Sequence, residues 1–305
     1  MDTRRFGLIG TGIGESRSPQ LFRAAYDGRY PYDLLDGTDF LPLWKRFLEE
    51  YQAVNITAPF KQDAFAQGLQ LARNGYAGIS GPCYKIGATN LVVKTAEGLM
   101  FHNSDFSGII LSVAEACFPG VVGHCYDVYG EKGYIKVHQF VKENLDSLYD
   151  YKPQALIVGC GGAGRAAAVA AAEMGFATAL MNRTQQKAQA LAADLPEYGF
   201  IPVPISDFLA ALEECDLVIY TLPEAIPAID GLTEGRFRGE GGPGKVILEA
   251  NYKTPAFSGE VRRRLEAAGA HYVSGMQWLM YQAVTGYALM TGEVADREAI
   301  LQALP

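Results

Sequence analysis

The chain has 305 residues, 49% hydrophobic and 20% charged, which suits a soluble globular protein of two domains. Its net charge of -8 argues against a nucleic-acid partner, and no apolar run approaches the length of a membrane span. The opening segment, Met1 to Gly10, carries two arginines and only a short apolar stretch, so it reads as a first strand and not as a signal peptide. In chain order, Phe6 to Ile9 is a strand, and Pro19 to Tyr26 is a helix with proline in its first turn. Leu41 to Tyr51 is a second helix, and Ala53 to Thr57 a short strand stopped at Ala58-Pro59. Asn90 to Thr95 and Leu99 to Asn103 flank Ala96-Glu97-Gly98 as a hairpin.

Residues 118–152 break this rhythm. Phe118-Pro-Gly120 ends the preceding helix, and a tyrosine-rich, mixed-charge stretch follows, including Tyr126, Tyr129, Tyr134, Tyr149 and Tyr151, with a helix expected over Tyr134 to Leu148. The segment reads as an insertion between the two halves. His124, Cys125 and His138 lie in it at no common zinc spacing, so no metal site is assigned. The five cysteines are scattered without a C-x-x-C pair, which favours reduced thiols and a cytoplasmic protein.

From Ala155 the pattern becomes regular: strand 155–158, helix 163–174, strand 177–181, helix 185–194, strand 216–221, strand 245–250, helix 258–268 and strand 271–273. Strands alternating with helices predict a parallel sheet with crossover helices. The last thirty residues, Met276 to Leu304, read as helix packing back on the first domain. Gly159, Gly161 and Gly164 fill G-x-G-x-x-G between an apolar strand and an alanine-rich helix. Gly159 permits the tight turn, Gly161 lets the backbone approach a pyrophosphate, and Gly164 lets helix and strand pack closely. The helix starting at Gly162-Ala163-Gly164 aims free N–H groups at the phosphates. The second strand ends at Asn182-Arg183-Thr184 with Lys187 one turn on. A guanidinium, a hydroxyl and an ammonium suit a 2′-phosphate, and the run contains no acid to repel it, so NADP is expected over NAD.

The first half then carries four short motifs, and a fifth closes the chain. Gly10-Thr-Gly-Ile-Gly-Glu-Ser-Arg-Ser-Pro19, Asn55-Ile-Thr-Ala-Pro-Phe-Lys61, Gly87-Ala-Thr-Asn90, Asn103-Ser-Asp105 and Gly275-Met276 with Gln282 follow one another in order. With the glycine turn between the fourth and fifth, they resemble the shikimate dehydrogenase family over nearly the whole chain. The resemblance implies an N-terminal α/β substrate domain, a C-terminal Rossmann-type NADP-binding domain and a cleft between them. The substrate and catalytic domain would span 1–105 and 276–305, and the dinucleotide domain 106–275. It implies NADP-dependent, reversible reduction of 3-dehydroshikimate to shikimate. Lys61 would serve proton transfer, with Asp105 orienting it and bonding a substrate hydroxyl. Ser16 and Ser18 would bind the substrate carboxylate. Thr57, Asn90 and Gln282 would read the ring hydroxyls, and Tyr252 falls where the family has a substrate-contacting tyrosine. Ala250 and Gly275 fall where backbone lies near the nicotinamide. On its own, Lys61 after a strand would read as a surface lysine.

Several positions depart from the family. Glu15 replaces a histidine, which sets a carboxylate near the expected substrate carboxylate, an awkward placement unless Arg17 offsets it or Glu15 points away. Phe106 replaces a glycine, Tyr220-Thr-Leu222 stands for Asn-Ala-Thr, and Glu249 replaces an aspartate. These suggest a divergent member, and they leave open quinate, an aminoshikimate or another cyclic polyol acid as substrate. Two further alternatives are a methylene-tetrahydrofolate type dehydrogenase and a non-catalytic sensor that binds shikimate and NADP. A small-molecule substrate is expected, with no nucleic acid and no membrane, and a homodimer is compatible with the chain.

Overall fold

A computed structural model describes residues 4–124, 131–233 and 244–304. They divide into two compact units: 4–108, 131–134 and 280–304 form one, and the remaining described residues, between 109 and 279, form the other. Cys125, Tyr126 and Tyr129 lie outside the described residues.

The first unit contains β1 (Phe6–Gly10), α1 (Ser18–Ala25), β2 (Tyr32–Asp36), α2 (Phe40–Glu50), β3 (Ala53–Ile56), α3 (Lys61–Arg73), β4 (Ala77–Ile79), α4 (Gly81–Ile86), β5 (Leu91–Thr95) and β6 (Gly98–His102), followed by the start of α5 (Ser104–Cys117). The strands order as β2-β1-β3-β5-β6-β4. β1 runs parallel to both β2 and β3, while β5 is antiparallel to β3 and to β6. β1 and the first residues of β3 are buried on both faces, so they read as continuous apolar runs. Trp44, Phe47, Val54, Ile56, Val92 and Phe101 fill the core on the α2 side. α1 buries Leu21, Phe22 and Ala25, the helical spacing that lays one apolar face on the sheet.

The second unit takes in most of α5, then α6 (Val121–His124), α7 (Glu131–Asn144), β7 (Gln154–Val158), α8 (Gly162–Met174), β8 (Ala177–Met181), α9 (Gln185–Asp194), β9 (Ile201–Val203), α10 (Phe208–Glu214), β10 (Leu217–Tyr220), β11 (Val246–Glu249), α11 (Gly259–Ala267), β12 (His271–Val273) and the start of α12 (Gly275–Thr291). The expected helix of the tyrosine-rich segment is α7, followed by a short 3-10 turn over Leu145–Leu148. The sheet is all parallel in the order β12-β11-β10-β7-β8-β9. That is the doubly wound dinucleotide order, with its switch point between β7 and β10. Ala166 to Ala171 are fully buried along α8, because small side chains let the helix lie close on the sheet.

The C-terminal stretch differs from the single helix read over Met276 to Leu304. It breaks at Gly292, which has a left-handed φ of 75°, and resumes as α13 (Arg297–Ala303) under an Asp296 cap. A left-handed glycine after a helix ends it, because no other residue takes that conformation at so little cost. α13 belongs to the first unit and is tied to α1 there: Gln20 donates to the Ala303 carbonyl at 3.2 Å, and the Asp296 amide to the Ala25 carbonyl at 3.1 Å.

Candidate active site

Strand pairing gathers most of the expected substrate residues at one sheet edge. In register, Gly10 faces Asp36, Ile9 faces Ile56, Asn55 faces Leu91, and Leu91 faces His102. The ends of β1, β2, β3 and β6 and the start of β5 therefore share that edge. The loops and helix starts leaving it carry Ser16, Ser18, Thr57, Lys61, Asn90 and Asp105. Carboxyl ends of parallel strands are where open α/β sheets hold ligands.

Lys61 opens α3 and Asp105 sits in the first turn of α5. A helix N-terminus repels a cation and attracts an anion, so Lys61 needs a counter-charge and Asp105 is favourably placed. Lys61 Nζ stands 2.5 Å from Asp105 Oδ2, with the side chains 12% and 5% exposed. Burial this deep makes the pair a commitment, since either charge alone would be costly there.

The frame around the pair is hydrogen-bonded throughout. Asn103 caps α5, its Oδ1 accepting the Phe106 amide at 3.3 Å, while its Nδ2 donates to the Ala88 carbonyl at 2.9 Å. Asn90 Oδ1 accepts the Ser104 amide at 2.7 Å, and Asn90 Nδ2 donates to Ser104 Oγ at 3.1 Å. The Thr89 amide donates to the Lys61 carbonyl at 2.9 Å. Asn90, expected to read a ring hydroxyl, thus places both its amide groups on Ser104, next to Asp105. Phe106, in place of glycine, is buried and edge-on to Tyr134 at 6.2 Å.

The serine loop is held from β2. Asp36 accepts the Gly12 amide at 2.8 Å and the Ile13 amide at 3.1 Å, and the Ser16 amide donates to the Ile13 carbonyl at 2.8 Å. Ser16 Oγ lies 3.2 Å from Ser18 Oγ, and the Tyr32 phenol, whose pKa burial raises well above the ordinary value, donates to Asn55 Oδ1 at 2.9 Å. The Thr11 amide donates to the Ala58 carbonyl at 3.2 Å, which joins this loop to the turn before Lys61. Thr57 is half-buried in that turn. Gln282 is half-buried on α12, and no hydrogen bond of its side chain ties it to the Lys61 pair or to the serines among the described residues. Arg17 donates to Gln20 Oε1 at 3.0 Å, while Glu15 is exposed. Asp36 is a residue that motif reading missed, because nothing in its own segment marks it.

In the second unit the glycine turn follows β7. Gly159 has a left-handed φ of 108°, and a Cβ there would lie 2.3 Å from Thr221 Oγ1; a Cβ on Gly164 would lie 1.8 Å from the Gly159 carbonyl oxygen. Around Gly161 the space is open. The first-turn amides of α8, Gly162, Ala163 and Gly164, are the donors that a helix start leaves unpaired. Asn182 is buried and bridges the two halves of the site: Oδ1 accepts the Cys160 amide at 3.1 Å, and Nδ2 donates to the Thr184 carbonyl at 3.0 Å. Thr184 occupies the cap position of α9 without closing the cap through its hydroxyl. Burial pushes the Cys160 thiol up to about 11, and the Lys187 ammonium nearby pulls it back part of the way. These groups suit a dinucleotide: a close-packed turn, free amides, and Thr184, Arg183 and Lys187 at the second strand's end.

The Asn182 to Lys187 run holds no acid of its own, but the fold brings one to it: Glu224, in the turn after β10, reaches Arg183 Nη1 at 3.1 Å. Forty-one residues separate the two, so no local motif could reveal the pair.

The end of β11 completes the unit. The Ala250 amide donates to the Tyr220 carbonyl at 2.8 Å, and a Cβ on Gly275 would lie 2.5 Å from the Ala250 carbonyl oxygen, so only glycine starts α12 so close. Tyr252 lies half-buried in the next loop, whose turn is held by Asn251 Oδ1 accepting the Lys253 and Thr254 amides at 3.2 Å each. Glu249 is fully buried and accepts the Ala256 amide, the Phe257 amide at 3.4 Å and the Tyr272 phenol at 2.7 Å. Burial raises its pKa, and those three donors lower it.

Comparison with known proteins finds the likeness that the motifs carry. Residues 139–230 match the family model of shikimate / quinate 5-dehydrogenase. A shikimate dehydrogenase (NADP(+)) of Natronomonas pharaonis is 26% identical over 98% of this chain and 97% of its own length. Its counterpart in Halobacterium salinarum is 28% identical over 98% and 97%. The crystal structure of the Thermus thermophilus shikimate 5-dehydrogenase in complex with shikimate superposes with a TM-score of 0.70 at 25% identity, over 98% of this chain and 97% of that one. With the Lys61–Asp105 pair and the serine loop gathered at one sheet edge, the chain is similar to shikimate dehydrogenases over nearly its whole length.

Proposed function

We propose that this chain is an NADP-dependent oxidoreductase that interconverts 3-dehydroshikimate and shikimate. The unit around β1 to β6 would hold the substrate, and the unit around β7 to β12 the nucleotide. The observation that carries the reading is the Lys61–Asp105 ion pair at 2.5 Å, nearly buried yet with 12% of the lysine side chain still reachable. Bound NADPH would supply the hydride that a ketone carbon takes up on reduction. The protein's part is the proton: the Lys61 ammonium stabilises charge developing on the carbonyl oxygen and donates a proton to it. Asp105 holds the ammonium in line and accepts from a substrate hydroxyl. The Ser16 and Ser18 hydroxyls face the substrate carboxylate, held from behind by Asp36. Thr57, Asn90, Tyr252 and Gln282 are the further substrate contacts in this reading. The amides of Gly161 to Gly164 and the Asn182 to Lys187 run receive the nucleotide, with the backbone at Ala250 and Gly275 near the nicotinamide.

We place the reaction in the cytoplasm, a setting supported by the free thiols Cys83, Cys117, Cys160 and Cys215. No helix among the described residues is long and apolar enough to cross a membrane. The direct test is purified protein with shikimate and NADP, followed by the growth of NADPH absorbance. Turnover is expected; none with shikimate, quinate or their dehydro forms would sink the proposal.

A further inference from the structure

We propose that Glu224 sets cofactor specificity: its carboxylate competes with the 2′-phosphate of NADP for Arg183, narrowing the preference for NADP over NAD. The inference rests on reading the β7 to β12 unit as the nucleotide holder. Arg183 Nη1 and Glu224 Oε2 are 3.1 Å apart, with side chains 52% and 76% exposed. An exposed pair is weak, so a phosphate can displace the carboxylate from the guanidinium. It cannot send the carboxylate far. The buried Tyr220 phenol donates to the Glu224 carbonyl at 2.6 Å and accepts the Ile226 amide at 3.1 Å. Asn251 Nδ2 also holds the Pro223 carbonyl at 2.9 Å. With its backbone fixed on both sides, the displaced Glu224 stays close to a phosphate bearing roughly two negative charges, and repels it. An acid at this strand end is the device by which NAD-binding folds take the ribose hydroxyls. Here it arrives from the β10 turn instead of from β8. Tyr220, which stands where the family often has asparagine, is what fixes that turn.

The test is Glu224→Gln, which keeps size and hydrogen bonding but removes the charge. Dissociation constants for NADP and NAD are measured by fluorescence titration, independent of turnover. NADP binding should tighten about three- to tenfold, with NAD changed by less than about twofold. The gain should shrink at about 0.5 M salt, and Arg183→Ala placed on top of Glu224→Gln should abolish it. Equal change for both nucleotides, no change, or a gain that survives loss of Arg183 overturns the inference and leaves the dehydrogenase reading standing. A wild-type chain that binds neither nucleotide overturns both.

Discussion

Asp105 shows how a single side chain can be both positioned and committed by its surroundings. Asn103 caps its helix and Asn90 grips the neighbouring Ser104, so the carboxylate has little freedom beside Lys61. Asp105→Asn keeps the shape but leaves the ammonium nearly buried without a counter-charge. We expect kcat to fall about 100-fold or more, while NADP affinity measured by titration stays level. Lys61→Ala should lower kcat by about 100- to 10,000-fold with a small change in substrate KM, because it removes a contact made mainly in the transition state. A large KM effect with kcat intact would make Lys61 a binding residue only. Ser16→Ala should do the opposite and raise substrate KM about tenfold by removing a hydrogen bond to a charged group. Lys61 and Asp105 are legible through their motifs. Glu224 and Asp36 are not, because each acts on residues far away in the chain and sits in no motif of its own.

The elements separate what glycine does for packing from what it does for binding. A Cβ on Gly164 meets the Gly159 carbonyl at 1.8 Å, whereas a Cβ on Gly161 meets nothing. Gly164→Ala should therefore cost about 2 kcal/mol or more in urea unfolding. Gly161→Ala should cost less than about 1 kcal/mol yet weaken NADP binding, since the open space beside Gly161 is where a pyrophosphate would approach. Normal NADP affinity in Gly161→Ala would show that the backbone there keeps its distance from the phosphates. At the end of β11, burial lifts the Glu249 carboxyl above its ordinary 4.5. A group whose folded pKa is raised contributes stability that is complete below the unfolded value and is lost as pH rises through the folded one. Glu249→Gln should thus flatten the fall in unfolding free energy as pH rises above the ordinary 4.5; parallel curves would rule this out. Strand legibility follows burial. β7, β10 and β11, buried almost throughout, announce themselves as apolar runs, whereas the edge strands β2, β4 and β9 are mostly half-exposed and leave no such run to read.

At the scale of the whole molecule, the proposed function makes the division into two units a division of chemistry. Each sheet has its own core, one around Trp44, Phe47 and Phe101 and the other around Phe208, Tyr220 and Phe257. The chain passes between the units within α5, after Gly108, within α7, after Tyr134, and within α12, after Leu279, and no composition break marks the first or the last of these. The glycine turn is legible because its chemistry is local, while the crossings in α5 and α12 leave no mark in composition, because a continuous helix runs through each; the bounds expected at 105/106 and 275/276 come from the resemblance alone. If the β7 to β12 unit alone receives the nucleotide, NADP should slow amide hydrogen exchange first in 159–187, the stretch that carries the glycine turn, β8 and the Arg183 run. A ligand held at about 100 times its dissociation constant adds about 2.7 kcal/mol to the state that binds it, enough to protect those amides by about 100-fold where exchange follows global opening. Lys61→Ala should leave that protection unchanged while lowering turnover, because the lysine belongs to the other unit. Shikimate should instead protect the segments around Ser16, Thr57 and Asn90, and Ser16→Ala should weaken that effect. Protection of the Ser16 segment by NADP alone, at the same level as 159–187, would mean that the nucleotide is not the business of one unit.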